Sequence, residues 1–252
     1  MRFEEYTNKT IFITGAASGI GYAQALAFLE NGANVFGFDI EAQGLVQLQQ
    51  QYPEHFAYMV GSVCSQQDVE QSYEAAISSF TQIDILCNTA GILDGFAKTL
   101  DTDEALWDKI MNTNVKGTFF VTNKILPHMV ARGAGTIVNM ASIAGLVAGG
   151  GGGAAYTASK HAIVGYTKQL DLDYCRAGIR ANAIAPGAIQ TPMNQADFEG
   201  DGEMAKWVAQ ETPAGRWAQP QEVANLTLFL ASSAADYMHG TVLPIDGGWL
   251  TK

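Results

Sequence analysis

Tyr156 and Lys160 stand four positions apart in the run Tyr156-Thr157-Ala158-Ser159-Lys160. On a helix that spacing puts both side chains on one face. A phenol ordinarily ionises near pH 10, roughly three units too high for acid–base work at neutrality. An ammonium beside it favours the phenolate and is expected to draw its ionisation toward the working range. Such a pair can give a proton to a carbonyl oxygen or take one from an alcohol. Ser142 lies upstream, where its hydroxyl could hold the same oxygen. Asn114 sits in a helical stretch, Asn112-Thr113-Asn114-Val115-Lys116-Gly117. Asparagine is a mediocre helix former, so that position needs a reason. Each residue alone has an ordinary explanation: a surface Tyr/Lys contact, a cap or a turn. Their combination and order carry the signal.

A second constellation precedes the first. Thr14-Gly15-Ala16-Ala17-Ser18-Gly19-Ile20-Gly21 follows an apolar run and opens a helical one. A glycine turn between strand and helix lets backbone approach a pyrophosphate, and the helix N-terminus offers free N–H groups and a positive dipole end. The spacing is G-x-x-x-G-x-G rather than the commoner G-x-G-x-x-G. Asp39 closes the next apolar run, eighteen positions after Gly21. A carboxylate there can accept both ribose hydroxyls of an adenosine and repels a 2′-phosphate. Asn88-Thr89-Ala90-Gly91 supplies small residues after a later run.

These residues must be positioned by alternating elements. The pattern predicts strands at Thr10–Thr14, Asn34–Phe38, Phe56–Val60, Ile83–Cys87, Thr136–Met140, Ile179–Ala185 and Val242–Ile245. It predicts helices at Gly19–Asn31, to about Gln51, Gln66–Phe80, Asp103–Val130, Ala154–Arg176 and Pro220–Leu230. Strands alternating with helices make parallel βαβ units with right-handed crossovers. Continuous apolar strands mean helices on both faces. The expectation is an α/β, doubly wound Rossmann-type chain with a seven-stranded parallel sheet. No linker, repeat or charge block divides residues 1–252, so one domain is expected. Gln190 to Arg216 breaks the rhythm, with acids at Asp197, Glu199, Asp201 and Glu203 and apolar Met193, Phe198, Met204 and Trp207. Such a segment usually serves as a lid or binding loop.

Composition limits the partners. Of 252 residues, 48% are apolar and 15% charged, against about 25% charged in an average domain. The formal charge of −11 repels phosphate backbones and anionic lipids, so nucleic-acid and membrane roles are disfavoured. Cys64, Cys87 and Cys175 are odd in number and widely spaced, which indicates neither a disulfide framework nor a zinc site. Buried thiols in a reducing cytoplasm are expected. Met1 to Lys9 does not resemble a signal peptide. The uncharged stretches Thr10–Leu29 and Gly133–Ser159 are too glycine-rich to read as membrane spans. His55, His128, His161 and His239 are scattered, and no metal is expected.

Taken together, the residues resemble the short-chain dehydrogenase/reductase family from Thr10 to the C-terminus. Gly15, Gly19 and Gly21 match its cofactor turn, and Asn88-Thr89-Ala90-Gly91 its Asn-Asn-Ala-Gly element. Asn114, Ser142, Tyr156 and Lys160 match its catalytic set. Pro186-Gly187 and Thr191-Pro192-Met193 match the segment running past the nicotinamide, and Asp246-Gly247-Gly248 an ending of the 3-oxoacyl-acyl-carrier-protein reductase-like subgroup. Three positions depart from the pattern. Ser62-Val63 replaces an Asp-Val pair that meets adenine, Thr89 replaces the second Asn, and Ser18 stands where NADP-using members carry a base.

The resemblance implies a dinucleotide held by Gly15, Ser18, Gly19, Ile20, Gly21, Asp39, Ser62, Val63, Asn88, Ala90, Gly91, Tyr156, Lys160, Pro186, Gly187, Ile189 and Thr191. NAD is the expected cofactor. It implies that Tyr156 is the acid–base, that Lys160 lowers its pKa and holds the nicotinamide ribose, and that Ser142 binds the reacting oxygen. Asn114 would position a water that passes protons to Lys160. The expected activity is oxidoreduction of a secondary alcohol/ketone pair by a homotetramer. Reduction of a carrier-bound 3-oxoacyl chain is the alternative. An acyl carrier protein is acidic, though, and docking it needs a basic patch that this chain does not offer. A dinucleotide sensor without turnover is a second alternative, disfavoured by the intact catalytic set. Gly149–Gly153 offers no side chain, so Ile143, Leu146, Val147 and the lid are expected to set specificity.

Overall fold

A computed structural model describes residues 3–252. Seven parallel strands lie in the order β3-β2-β1-β4-β5-β6-β7. They are β1 Thr10–Thr14, β2 Asn34–Asp39, β3 Phe56–Val60, β4 Ile85–Asn88, β5 Gly135–Met140, β6 Ile179–Pro186 and β7 Val242–Ile245. The eight helices are α1 Gly19–Glu30, α2 Gln43–Gln51, α3 Gln66–Phe80, α4 Glu104–Met111, α5 Thr118–Arg132, α6 Ala154–Tyr174, α7 Glu203–Glu211 and α8 Pro220–Ala231. Strand order reverses between β1 and β4, where Thr14 pairs with Asn88. A crevice opens at such a switch point, outside the carboxyl ends of the strands.

Alternation along β1 explains the two cores. Ile11 and Ile13 point into a layer with Phe28, Leu45, Leu48, Val223 and Leu228, from α1, α2 and α8. Phe12 points the other way, into a layer with Val69, Ile125, Met129 and Leu170 from α3, α5 and α6. Phe12 stacks on Phe36 of β2 with ring centroids 5.3 Å apart. Every second residue of a strand faces the same side, so a strand buried on both faces must be apolar throughout.

The structure corrects three boundaries. β4 begins at Ile85 rather than Ile83, and just before it the Asp84 carboxylate accepts the Thr10 N–H and the Arg132 guanidinium, at 2.9 and 2.6 Å. The helix expected over Asp103–Val130 is α4 and α5 joined by a wide π-type turn at Asn112–Gly117. The lid is not a plain loop: it holds tight turns over Pro192–Phe198 and then α7. The cysteines differ too. Cys87 is buried in β4, and desolvation raises its thiol pKa, but Cys64 is exposed after β3 and Cys175 is partly exposed after α6. Among the described residues no helix is long and apolar enough to cross a membrane.

Candidate active site

A cavity of about 850 Å³ lies over the ends of β1, β4, β5 and β6. At one end the wall is the turn after β1. A Cβ added at Gly21 would sit 2.0 Å from the Gly15 carbonyl oxygen, so the turn closes only with glycine there. Gly15 itself has φ +70°, and its α-carbon packs against Ala90. The Thr14 hydroxyl accepts the N–H groups of Thr89 and Ala90, both at 3.0 Å, and ties the β1 end to the β4 end. The Ser18 side chain makes no capping bond to α1, which leaves the first turn of that helix open toward the cavity. The Asp39 carboxylate accepts from Ala17 N at 2.9 Å and Glu41 N at 3.0 Å, which fixes it on the cavity wall beside the turn. The donors, the close backbone and the carboxylate fit a dinucleotide.

At the other end α6 carries Tyr156 and Lys160 on one face. Lys160 is buried, and its Nζ donates to the Met140 carbonyl at 2.8 Å and lies 5.5 Å from the Tyr156 ring centre. Ser142 follows β5 and lines the same wall. Burial brings the Lys160 pKa down to about 8. It pushes the Tyr156 phenol up to about 12; the Ser142 hydroxyl beside it lowers that value and the Asp94 carboxylate raises it. The expected pull of the Lys160 ammonium on the phenol is thus opposed by burial: the ammonium is turned to a main-chain carbonyl, and desolvation is the largest cause of both shifts.

Asn114 has its explanation in the π turn. Such turns sit frequently at functional sites, because they free backbone groups from the regular ladder. The Asn114 amide donates to Ile92 O at 3.0 Å and Ser159 Oγ at 3.1 Å, and its Oδ1 accepts from Ile92 N at 2.8 Å. It stitches the loop after β4 to α6 and lies behind the cavity wall rather than on it.

Of the residues singled out from the sequence, the structure brings Gly15, Ser18, Gly19, Ile20, Gly21, Asp39, Ser62, Val63, Ala90, Gly91, Ser142, Tyr156, Lys160, Pro186, Gly187, Ile189 and Thr191 to one cavity. Asn88 is turned away. Its amide donates to Thr122 and Asn139 at 3.0 and 2.9 Å inside the sheet. Ile143 lines the cavity, but Leu146 and Val147 do not. Phe198 also stays off the wall and packs on Trp217, ring centres 4.9 Å apart. Thr89, the departure from Asn, donates its hydroxyl to the buried Gln24 at 2.6 Å.

Sequence reasoning missed Asp94. It is 5% exposed, and its carboxylate accepts from Phe96 N, Gly153 N and Tyr156 N at 3.1, 2.8 and 2.9 Å. The residue before α6 is Gly153, with no side chain to cap the helix. A carboxylate from the β4 loop supplies that cap, next to the positive dipole end. A Cβ at Gly153 would stand 2.3 Å from the Ala97 carbonyl oxygen as well as 2.6 Å from Asp94 Oδ2, so this close approach requires glycine. Phe96, Trp217 and Trp249, which also line the cavity, were not singled out either. No sequence signal marks any of these, because each acts on residues far along the chain.

The comparisons agree with this architecture. The family model described as enoyl-(acyl carrier protein) reductase matches residues 15–250. The chain is 39% identical to 3β-hydroxysteroid dehydrogenase 2 of Eggerthella lenta, over 96% of this chain and 94% of that protein. It is 38% identical to the 3-oxoacyl-[acyl-carrier-protein] reductase of Thermotoga maritima, over 98% and 99%. The crystal structure of levodione reductase superposes with a TM-score of 0.91 at 36% identity, covering 96% of this chain and 98% of the other.

Proposed function

The chain belongs to the short-chain dehydrogenase/reductase family, and on that premise we propose that it is an NAD(H)-dependent oxidoreductase of a secondary alcohol/ketone pair. The carrying observation is the convergence of Tyr156, Ser142 and Lys160 on one cavity whose far end holds Asp39. When bound, the nicotinamide supplies or accepts the hydride, and its oxidised form carries a positive charge that favours the phenolate. Tyr156 moves the proton at its phenolic oxygen. Ser142 holds the reacting oxygen against that phenol. Lys160, detached from Met140, donates to the ribose and lends its charge to the phenol. The Asn114 side chain is committed to Ile92 and Ser159, and its main-chain carbonyl, which accepts the Thr118 hydroxyl at 3.0 Å, keeps a second lone pair for a relay water.

Asp39 and Glu41 put carboxylates beside the adenosine end, and Lys109 and Lys160 are the cations on the wall among the described residues. That balance favours NAD over a 2′-phosphorylated cofactor. It also leaves Lys109 and the buried Lys160 as the lining cations that could meet a carrier's phosphate. The same reading takes residues 1–252 as one domain acting as a homotetramer. Phe119 on α5 and Leu172 on α6 are exposed apolar residues on two long helices, which a subunit contact would cover. A screen of secondary alcohols with NAD and NADP, and of ketones with NADH and NADPH, tests the assignment. Turnover with NAD(H) at much the higher kcat/KM is expected; equal values for the two cofactors would overturn the NAD reading.

A further inference from the structure

Three of the four tryptophans in the chain line the cavity. Trp207 comes from α7, Trp217 from the turn before α8, and Trp249 from the segment after β7. Trp217 is fixed there, because its indole N–H donates to the Ala205 carbonyl at 2.9 Å. Phe96, Met193 and Met204 join them on the wall. Phe96, Met193, Met204 and Trp207 are 49%, 47%, 53% and 51% exposed, although each lines a cavity rather than an outer face. Large apolar side chains held half open around one concavity mark a ligand whose own apolar surface completes the burial. Ala205 is the one buried residue of α7, so that helix is only half covered by the protein itself.

The polar groups at this end are few. Beyond Ser142 and Tyr156, which meet the reacting oxygen, the lid contributes Asn194 and Asp197. The Asn194 carbonyl oxygen already accepts the Thr191 hydroxyl at 2.9 Å. Asp197 puts a carboxylate at the wall, and the lining cations are Lys109 and the buried Lys160, whose Nζ donates to the Met140 carbonyl. Gly149–Gly152 form the remaining wall and bring no side-chain donor or acceptor. A carboxylate or phosphate on the substrate would meet Asp197 unpaired. A polyhydroxylated substrate would find only the Asn194 amide N–H, the Asp197 carboxylate and the indole N–H groups of Trp207 and Trp249 to replace the water its hydroxyls lose.

We propose that the substrate is an uncharged, bulky alicyclic ketone or its alcohol, with fused rings, gripped by Trp207, Trp249, Phe96 and Met204 while Ser142 and Tyr156 take its single reacting oxygen. This rests on the oxidoreductase reading and narrows it. Flat aromatic and thioether side chains suit a rigid ring system, which loses little conformational freedom on binding. Size is therefore rewarded: each methylene buried is worth about fourfold in affinity.

The test is a series at constant chemistry: cyclohexanone, 2-decalone and a tetracyclic ketone with NADH, beside acetoacetyl-CoA and a keto sugar acid. kcat/KM is expected to rise at least about tenfold from cyclohexanone to 2-decalone. The charged and polyhydroxylated ketones should fall below cyclohexanone. Trp207→Ala should raise KM for 2-decalone about tenfold and KM for cyclohexanone much less. Binding has its own readout in the tryptophan fluorescence of the protein without cofactor, which 2-decalone should quench at lower concentration than cyclohexanone. If acetoacetyl-CoA or the sugar acid has the highest kcat/KM, or ring size has no effect on either readout, the substrate class is wrong and the oxidoreductase reading stands. If no ketone is turned over but the fused-ring ketones still quench, the oxidoreductase reading fails and the binding class survives.

Discussion

At the cofactor end the cavity wall is mostly backbone, and the sheet fixes it. Thr14 ties two strand ends together, Asp39 holds the glycine turn, and Gly21 leaves no room for a side chain. At the substrate end the wall is mostly side chain, supplied by a lid whose helix α7 buries only Ala205. The first end leaves little freedom to vary, because the partner chemistry there is fixed. The second can change residue by residue without disturbing the sheet. One fold can thus keep a single hydride chemistry while the substrate changes, as the different substrates named for similar chains illustrate.

The sharpest way to break the comparison is at the junction of the two ends. Tyr156→Phe removes one oxygen and keeps the ring against Gly152, so the wall survives and the proton carrier does not. kcat is expected to fall by about 10²–10⁴, with the Kd for NADH within a few-fold of the parent. Retention of more than a tenth of the activity would mean that another group moves the proton. Steady-state kinetics and a fluorescence titration of NADH check the two halves.

Asp39→Ala with Ser18→Arg attacks the fixed end alone. Removing the carboxylate and adding a guanidinium beside α1 should move the kcat/KM ratio of NADP to NAD upward by about 10- to 100-fold. The ranking of ketones should not change, because neither residue reaches the lid. A shift in ketone preference would show that the two ends are coupled.

Much of the cofactor end was legible in the sequence, and much of the substrate end was not. The glycine turn, Asp39 and the Tyr156/Lys160 spacing act within one strand–turn–helix or one helix turn, so order along the chain reports their geometry. Asn114 could be flagged as an odd helix residue, but the π turn that explains it follows from packing against Ile92 and Ser159. Asn88 sits in a matching motif yet points into the sheet, where Thr122 and Asn139 take its amide. Spacing shows the Lys160 ammonium beside Tyr156 and not the burial that opposes it. Trp249 and Phe96 line one cavity from positions more than half the chain apart, and no local pattern encodes that.

Asp94 joins the two ends, because it caps the helix that carries Tyr156 and holds the glycine loop of the substrate wall. Asp94→Ala leaves buried N–H groups without an acceptor and should cost about 1–3 kcal/mol of stability by urea denaturation. Asp94→Asn keeps the shape and removes the charge. Its carboxylate raises the phenol, so its loss should lower the pKa seen in kcat/KM for alcohol oxidation, which needs the phenolate. Alcohol oxidation in the parent should itself rise with pH, and ketone reduction should fall on the alkaline side. An unmoved pH profile in Asp94→Asn would leave Asp94 a purely structural cap.

The smallest expected effect lies where the lid rejoins the sheet layers. Arg216 donates both guanidinium nitrogens to Glu222, at 2.8 Å each, and Gln219 N donates to the same carboxylate at 2.8 Å. The Arg216 hydrogen bond, then the Gln219 N–H, hold the Glu222 carboxyl down to about 2. A carboxyl whose folded pKa is depressed contributes stability above its ordinary value of 4.5 and loses it as pH falls toward about 2. Both side chains are more than a third exposed, at 57% and 38%, so solvent and salt screen the pair. Glu222→Gln should lower Tm by no more than about 2 °C at pH 7, and the difference should shrink at pH 2 and in high salt. Backbone hydrogen exchange should still be faster over Gln190–Arg216 than over Thr10–Gly21, because surface contacts close the lid and core packing closes the turn. A loss of Tm well beyond 2 °C, or equal exchange in both segments, would mean that the lid is held as firmly as the sheet and that the contrast between the two ends is one of composition alone.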